Sequence, residues 1–240
     1  MLIKKLKSQM GESRYDWLYS LHHFSFADYY DPKNMGIGPL RVINDDVIAP
    51  HNGFPRHPHK NMEILTYILE GAITHQDSIH NKKMRVEKGA VQYMSAGTGV
   101  AHSEMNEENV GTRLAQIWVV PDKNNYEPVY GQVDFKWEER INKFLHIASG
   151  DNRAPIKINQ EIDIYALYLQ KDRKIDFVPE KGYEYYIAFF QGEAKVNNLN
   201  VEKYEAVIGD EKIELTAESD IHIMLFHMKK RVGETDEKQI

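Results

Sequence analysis

The chain has 240 residues, 42% of them hydrophobic, a formal net charge of −6 at neutral pH and no cysteine. That length and apolar content suffice for one large all-β unit or two smaller packed domains, and the missing thiols exclude a disulfide framework or a thiolate metal site. The acidic balance argues against gripping a phosphate backbone, which relies on a concentrated basic surface, so direct nucleic-acid binding is not expected.

The N-terminal stretch MLIKKLKSQMGESRYDW carries lysines but no apolar run of the kind a secretory signal needs. No later run approaches the ~20 apolar residues of a membrane span, and a soluble, cytoplasmic protein without membrane contact is the expectation. Strand signals then dominate: LRVIND, MEILTYILEG, AVQYM, RLAQIWVV, IYALYLQ, YEYYIAFFQG and IHIMLFHM. Each is short, rich in β-branched and aromatic residues, and bounded by Gly, Asn, Asp or Pro. Regular short strands separated by turns predict a sandwich or barrel. One helical segment is expected, in KWEERINKF between Trp137 and Phe144, where a linker would be useful. The final residues, KKRVGETDEKQI, are polar and charged and read as a loose tail.

A weak internal repeat supports two related domains. Aligning Gly71 with Gly192 lays MEILTYILEG over YEYYIAFFQG and Glu63 over Glu184. The polar signatures do not repeat. His57-Pro58-His59 and His102-Ser103-Glu104 stand in the first half, whereas the second half has only His146, His222 and His227, none at paired spacing. In a strand, residues i and i+2 point to the same face. Each signature therefore aims two side chains one way, and facing strands inside a barrel would bring three imidazoles and one carboxylate together, a donor set suited to a first-row transition metal. Pro58 lacks an N–H for a ladder, which predicts an edge or irregular strand holding the imidazoles stiffly.

The order GFPRHPHKNMEILTYILEG followed by GAVQYMSAGTGVAHSE resembles the pirin family of the cupin superfamily, and so do LHHFSFADYYDPKNMGIGPLRVINDD, QIWVVP and PVYGQ. The resemblance spans about residues 10 to 135. It implies an all-β fold of two tandem cupin (double-stranded β-helix or jelly-roll) barrels with few short helices. Residues 1–135 would form a metal-binding domain, and residues 136–240 a degenerate cupin domain without a metal site. It also implies one mononuclear iron-type metal per chain, held by His57, His59, His102 and Glu104. Zn, Mn, Ni or Cu would suit the same donors.

The match to the general cupin pattern has departures. Glu63 lies near the usual carboxylate position but is off register when counted back from Gly71, which leaves it a structural or supporting role. Ser95 or Gly97 stands where a proline is usual, while Asn106 follows His102 at the expected distance. His75, ahead of the polar turn Gln76-Asp77-Ser78, and His80 are read as hydrogen-bonded residues outside the ligand set. His22 and His23 are adjacent and would face opposite ways on a strand, so they cannot pair as ligands. The clusters Tyr29-Tyr30 and Tyr183 to Tyr186 are read as packing.

The sequence has no GxSxG elbow and no phosphate-binding GxxxxGK[ST] loop, and Gly97-Thr98-Gly99-Val100 is too short for a dinucleotide fingerprint. The resemblance implies a quercetin 2,3-dioxygenase-type oxidoreductase. A flavonol-like substrate and O2 would be its partners, Glu104 would be the general base, and ring cleavage would release carbon monoxide. The alternative it implies is a non-enzymatic, iron- and redox-responsive regulator that binds a partner protein through the same four ligands.

Overall fold

The computed structural model describes residues 1–230. The tail expected over the last residues lies outside them from residue 231 onward. The described residues divide into two compact units. The first comprises residues 11–136 with 158–160, and the second comprises residues 1–10, 137–157 and 161 onward. The linear division expected near residue 135 is therefore crossed twice. Leu2–Lys5 pairs antiparallel with Ala206–Gly209 in the second unit. Asn159, in the first unit, donates its backbone N–H to the Glu63 carboxylate at 3.1 Å.

Each unit places a seven-stranded sheet opposite a four-stranded one. In the first unit the large sheet runs, in spatial order, Val129–Val133, Val91–Ser95, Glu63–Glu70, Thr112–Val119, Leu40–Ile48, Leu18–His22 and Gly11–Arg14. The small sheet runs Gly53–His59, Val100–Met105, Ala72–Asp77 and Lys83–Glu87. Ile48, Ile68 and Leu114 of the large sheet meet Ile73 and Val86 of the small one, and Ile64 and Met94 meet Val100. Burying these inward faces fixes the register, because a slip of one residue would turn every side chain over.

The second unit repeats the plan. Tyr183–Gln191 and Ile221–Lys229 lie at the centre of its large sheet, facing a small sheet of Lys174–Phe177, Ile213–Ala217, Glu193–Val196 and Leu199–Glu202. This is the all-β, tandem-cupin organisation that the resemblance implies. The repeat read from Gly71 and Gly192 is real in three dimensions. Both glycines turn a central strand of the large sheet into the small sheet at positive φ, 76° and 80°. A Cβ at Gly192 would lie 2.3 Å from the Asp220 carbonyl oxygen, so only glycine turns there without strain.

Two expectations are corrected. The helix expected over Trp137 to Phe144 is a single 3-10 turn, Trp137–Arg140, ended where Asn142 adopts φ 56°; a pattern of nine residues is too short to sustain an α-helix without strong caps. Tyr185 and Tyr186 are buried as expected, but Tyr30 is exposed. Among the described residues no helix is long and apolar enough to cross a membrane.

Candidate metal centre

Gly53–His59 is an edge strand of the small sheet, as Pro58 requires, and pairs on one side only, with Val100–Met105. That pairing sets His57 directly opposite His102. Nδ1 of His57 lies 2.8 Å from the carbonyl oxygen of Pro55. A carbonyl can only accept, so Nδ1 carries the proton and Nε2 is left with a bare lone pair. That Nε2 faces Nε2 of His102 at 3.1 Å. The His59 ring completes the group, 4.8 Å from His57 and 4.9 Å from His102 between ring centres. One nitrogen from each of the three rings falls within 4.8 Å of the others. Burial first, and then the neighbouring imidazoles, lower the pKa of His59 to about 4 and that of His102 to about 3. Both rings are therefore neutral at physiological pH, the form that binds a metal.

Glu104, 1% exposed, lies two residues beyond His102 on the same face. Its carboxylate rests on a cross-strand row of the large sheet, where Gln92 pairs with Thr66 and Thr66 with Gln116. Oε1 accepts the Thr66 hydroxyl at 2.7 Å and the Gln92 amide, and Oε2 accepts the Gln116 amide at 2.7 Å. A carboxylate offers about four acceptor positions. Three are taken, and one on Oε2 remains.

His75 belongs beside this group, although its sequence context reads as the end of a strand before a turn. It sits within Ala72–Asp77, fully buried, opposite Glu104 in register. Its Nε2 meets Asp77 Oδ2 at 3.0 Å, and its ring stacks on Tyr130 at 4.5 Å. His75, His102 and Glu104 form a second group of potential ligand atoms within 4.8 Å, sharing His102 with the first. The four expected ligands are thus split between two overlapping triads. Among the described residues both triads lie in the first unit. A signal for His75 was present in the sequence: His75-Gln76-Asp77 has the same i, i+2 spacing as the other two signatures.

The remaining candidates are elsewhere. Glu63 points to the face opposite Thr66, where it accepts from the Tyr93 hydroxyl, from Ser95 Oγ at 2.6 Å and from Asn159. It ties strands and the 158–160 segment together. His22 is buried on Ser13, Ser20 and Asn44. His80 is partly exposed, with Nδ1 3.6 Å from Asp77 Oδ1.

The residues present fit a resident metal ion. Three imidazoles, at least two of them held neutral, face one another with a Nε2 to Nε2 separation of 3.1 Å. The adjacent buried carboxylate keeps one lone pair unclaimed. Nitrogen and oxygen donors without thiolate suit a borderline divalent cation.

Residues 4–119 match the pirin family, and residues 146–228 match the quercetinase C-terminal cupin domain. The pirin-like protein of Caulobacter vibrioides is 40% identical over 229 residues, covering 94% of this chain and 98% of that one. The quercetin 2,3-dioxygenase of Escherichia coli strain K12 is 38% identical over 231 residues, covering 95% and 99%. The crystal structure of the bacterial pirin YhhW from Escherichia coli, in complex with nickel(II), superposes with a TM-score of 0.89 at 36% identity, over 96% of this chain and 100% of that one. With these relatives matching nearly end to end and the two barrels in the same order, the chain belongs to the pirin family.

Proposed function

We propose that this chain is a cytoplasmic, metal-dependent dioxygenase that opens flavonols such as quercetin with O2. His57, His59, His102 and Glu104 are its ligands, iron is its metal, and the second unit is a scaffold without a metal. The observation that carries the reading is the convergence of three imidazoles beside a buried carboxylate with one open lone pair. The Escherichia coli relative that bears the quercetin 2,3-dioxygenase name supports the reaction class.

When bound, the ion supplies Lewis acidity toward the 3-hydroxyl and 4-keto oxygens of a flavonol and redox contact with O2. The protein groups do the rest. The one open position on Glu104 Oε2 would hold the ion or, when turned from it, accept the 3-hydroxyl proton, and Thr66, Gln92 and Gln116 hold the carboxylate in place in either role. The approach is aromatic, which suits a flat substrate. Trp118 stands edge-on to His59 at 4.9 Å and to Phe26 at 5.4 Å, and Phe54 lies between His57 at 6.5 Å and Trp17 at 5.3 Å. The indole N–H of Trp118 is buried without a hydrogen-bond partner and can donate to a phenolic oxygen.

The test is metal analysis of freshly isolated protein, paired with quercetin turnover on moving from anaerobic to aerobic buffer. One ion per chain, oxygen-dependent loss of quercetin and release of carbon monoxide are expected. If no metal-loaded form turns over any flavonol, the dioxygenase reading falls, and a partner protein captured in only one oxidation state would put the regulatory reading in its place.

A further inference from the structure

Two buried imidazole nitrogens of the first unit lack any hydrogen-bond partner: Nδ1 of His102 and Nδ1 of His75. Unpaired buried polar atoms are uncommon and each calls for a cause. Here the two belong to neighbouring rings, 5.3 Å apart between centres and inclined at 56°. His102 lies opposite Asp77 in register and His75 opposite Glu104, so the two imidazoles are diagonal neighbours on adjacent strands, within reach for aromatic side chains.

The protons can be assigned from the partners. Asp77 Oδ1 accepts the backbone N–H groups of Ile79 and His80, each at 2.7 Å, which fixes the carboxylate and aims Oδ2 at His75 Nε2, 3.0 Å away. A carboxylate accepts, so His75 carries its proton on Nε2 and turns a lone pair inward on Nδ1. His102 directs Nε2 toward His57, which leaves its Nδ1 to be satisfied on the other side of the ring. Glu104 is occupied by Thr66, Gln92 and Gln116 apart from one lone pair. His75 is therefore the acceptor that matches.

We propose that His75, oriented by Asp77, is the hydrogen-bond acceptor for Nδ1–H of His102 and so holds His102 as a ligand through Nε2. With the ring centres 5.3 Å apart, ring nitrogens turned toward each other would meet at about 3 Å, an ordinary hydrogen-bond length. Histidines that bind metals generally donate their second ring N–H to such a partner, and loss of the partner costs 10- to 100-fold in affinity. His75 is a positioning residue and touches neither the ion nor the substrate. The assignment rests on the metal-centre reading above, and its test separates the two.

Cobalt(II) is titrated against a competing chelator in the full-length chain. His75→Phe keeps a flat ring against Tyr130 but has no acceptor, and is expected to weaken cobalt binding by about 10- to 100-fold. His75→Gln offers an amide oxygen and should recover much of that loss. Asp77→Asn leaves its oxygen on the two backbone donors and turns an N–H toward His75, which should move the His75 proton to Nδ1 and weaken cobalt binding as His75→Phe does. Imidazole 1H–15N spectra of the metal-free wild type should show His75 as the Nε2–H form. The zinc(II)-loaded wild type should show His102 as Nδ1–H, with a coupling across the hydrogen bond between the two Nδ1 atoms. Wild-type cobalt affinity in His75→Phe, or His75 found as Nδ1–H in the metal-free wild type, overturns this assignment alone. A wild type with no affinity for cobalt or zinc overturns both it and the metal-centre reading.

Discussion

The two units share one scaffold and fill it with opposite chemistry. In the first, the row Gln92, Thr66, Gln116 and Asn44 crosses the large sheet; in the second, the corresponding row is Val207, Ile187, Leu225 and Tyr165. Opposite them, Glu104 pairs with the residue four past Gly71 and Leu215 with the residue four past Gly192, so Glu104 corresponds to Leu215 and His102, two residues earlier, to Ile213. Ile187, Val207, Leu225, Ile213, Leu215 and Ala217 belong to a single apolar core. A barrel of this kind closes equally well around a polar centre or around hydrocarbon, provided every buried polar group finds a partner. At Glu104 the first unit meets that condition by seating the carboxylate on three donors, and at the matching positions the second meets it with apolar side chains.

The largest effects should come from the ligands that only the first unit has. His59→Ala or His102→Ala should abolish stoichiometric metal binding, and elemental analysis of the wild type should find one ion per chain. Two tightly bound ions, or an ion retained by the His102→Ala chain, would erase the functional difference between the barrels. His75→Ala should still fill at saturating metal, its effect being confined to affinity.

Glu104→Gln keeps an oxygen beside the histidines while removing the charge and the basicity. At matched metal occupancy it should slow flavonol oxidation by about 10²-fold or more. Glu63→Gln, on the opposite face of its strand, should cost much less. Equal turnover of the metal-loaded Glu104→Gln and wild-type proteins would show that Glu104 is no base.

Exchanging character across the matched rows sharpens the comparison further. Ile187→Thr buries a hydroxyl in an apolar core and removes a methyl group, which should cost about 2 to 4 kcal/mol. Thr66→Val keeps the shape but removes a charge-assisted hydrogen bond from Glu104, at about 1.5 to 3 kcal/mol. Denaturant titration measures both. A stabilised Thr66→Val protein would mean that the polar row costs more than the Glu104 contact returns.

A last contrast lies in the pH dependence of stability, where aspartates on equivalent strands act in opposite senses. Burial raises Asp46 to about 7, helped by the charges of Asp45 and Glu104 and opposed by a hydrogen bond from Ser20. The folded chain then holds a proton that the unfolded chain releases near pH 4. Stability should decline between about pH 4 and pH 7, and Asp46→Asn should flatten that slope. Burial opposes ionisation of Asp163 as well, but hydrogen bonds from His146 and His227 and the charge of Arg153 hold it well below the usual carboxylate range. Its contribution is present above about pH 4 and lost as the pH falls through the folded value. Asp163→Asn should therefore destabilise the chain at neutral pH and converge with wild type in acid. Stability curves from pH 3 to 8 that are parallel for both variants would remove the contrast.

Much of this was legible in the sequence by itself. The strands, the two-barrel plan, the repeat about Gly71 and Gly192 and the edge position of Pro58 follow from local rules: residue alternation, turn glycines and the missing proline N–H. The polarity of the two halves was legible too, because the i, i+2 signatures occur in only one of them. Other features depend on which strands become neighbours, and no local pattern carries that information. Leu2–Lys5 joins a sheet with strands about two hundred residues away. Glu104 finds its donors on three different strands. His75 reads as a residue before a turn until antiparallel pairing sets it opposite Glu104. Glu63 is the converse case: it resembles a ligand in the linear pattern, yet its odd offset from Thr66 turns it to the other face of the sheet. Periodicity assigns a side chain to a face, and tertiary pairing alone decides what that face meets.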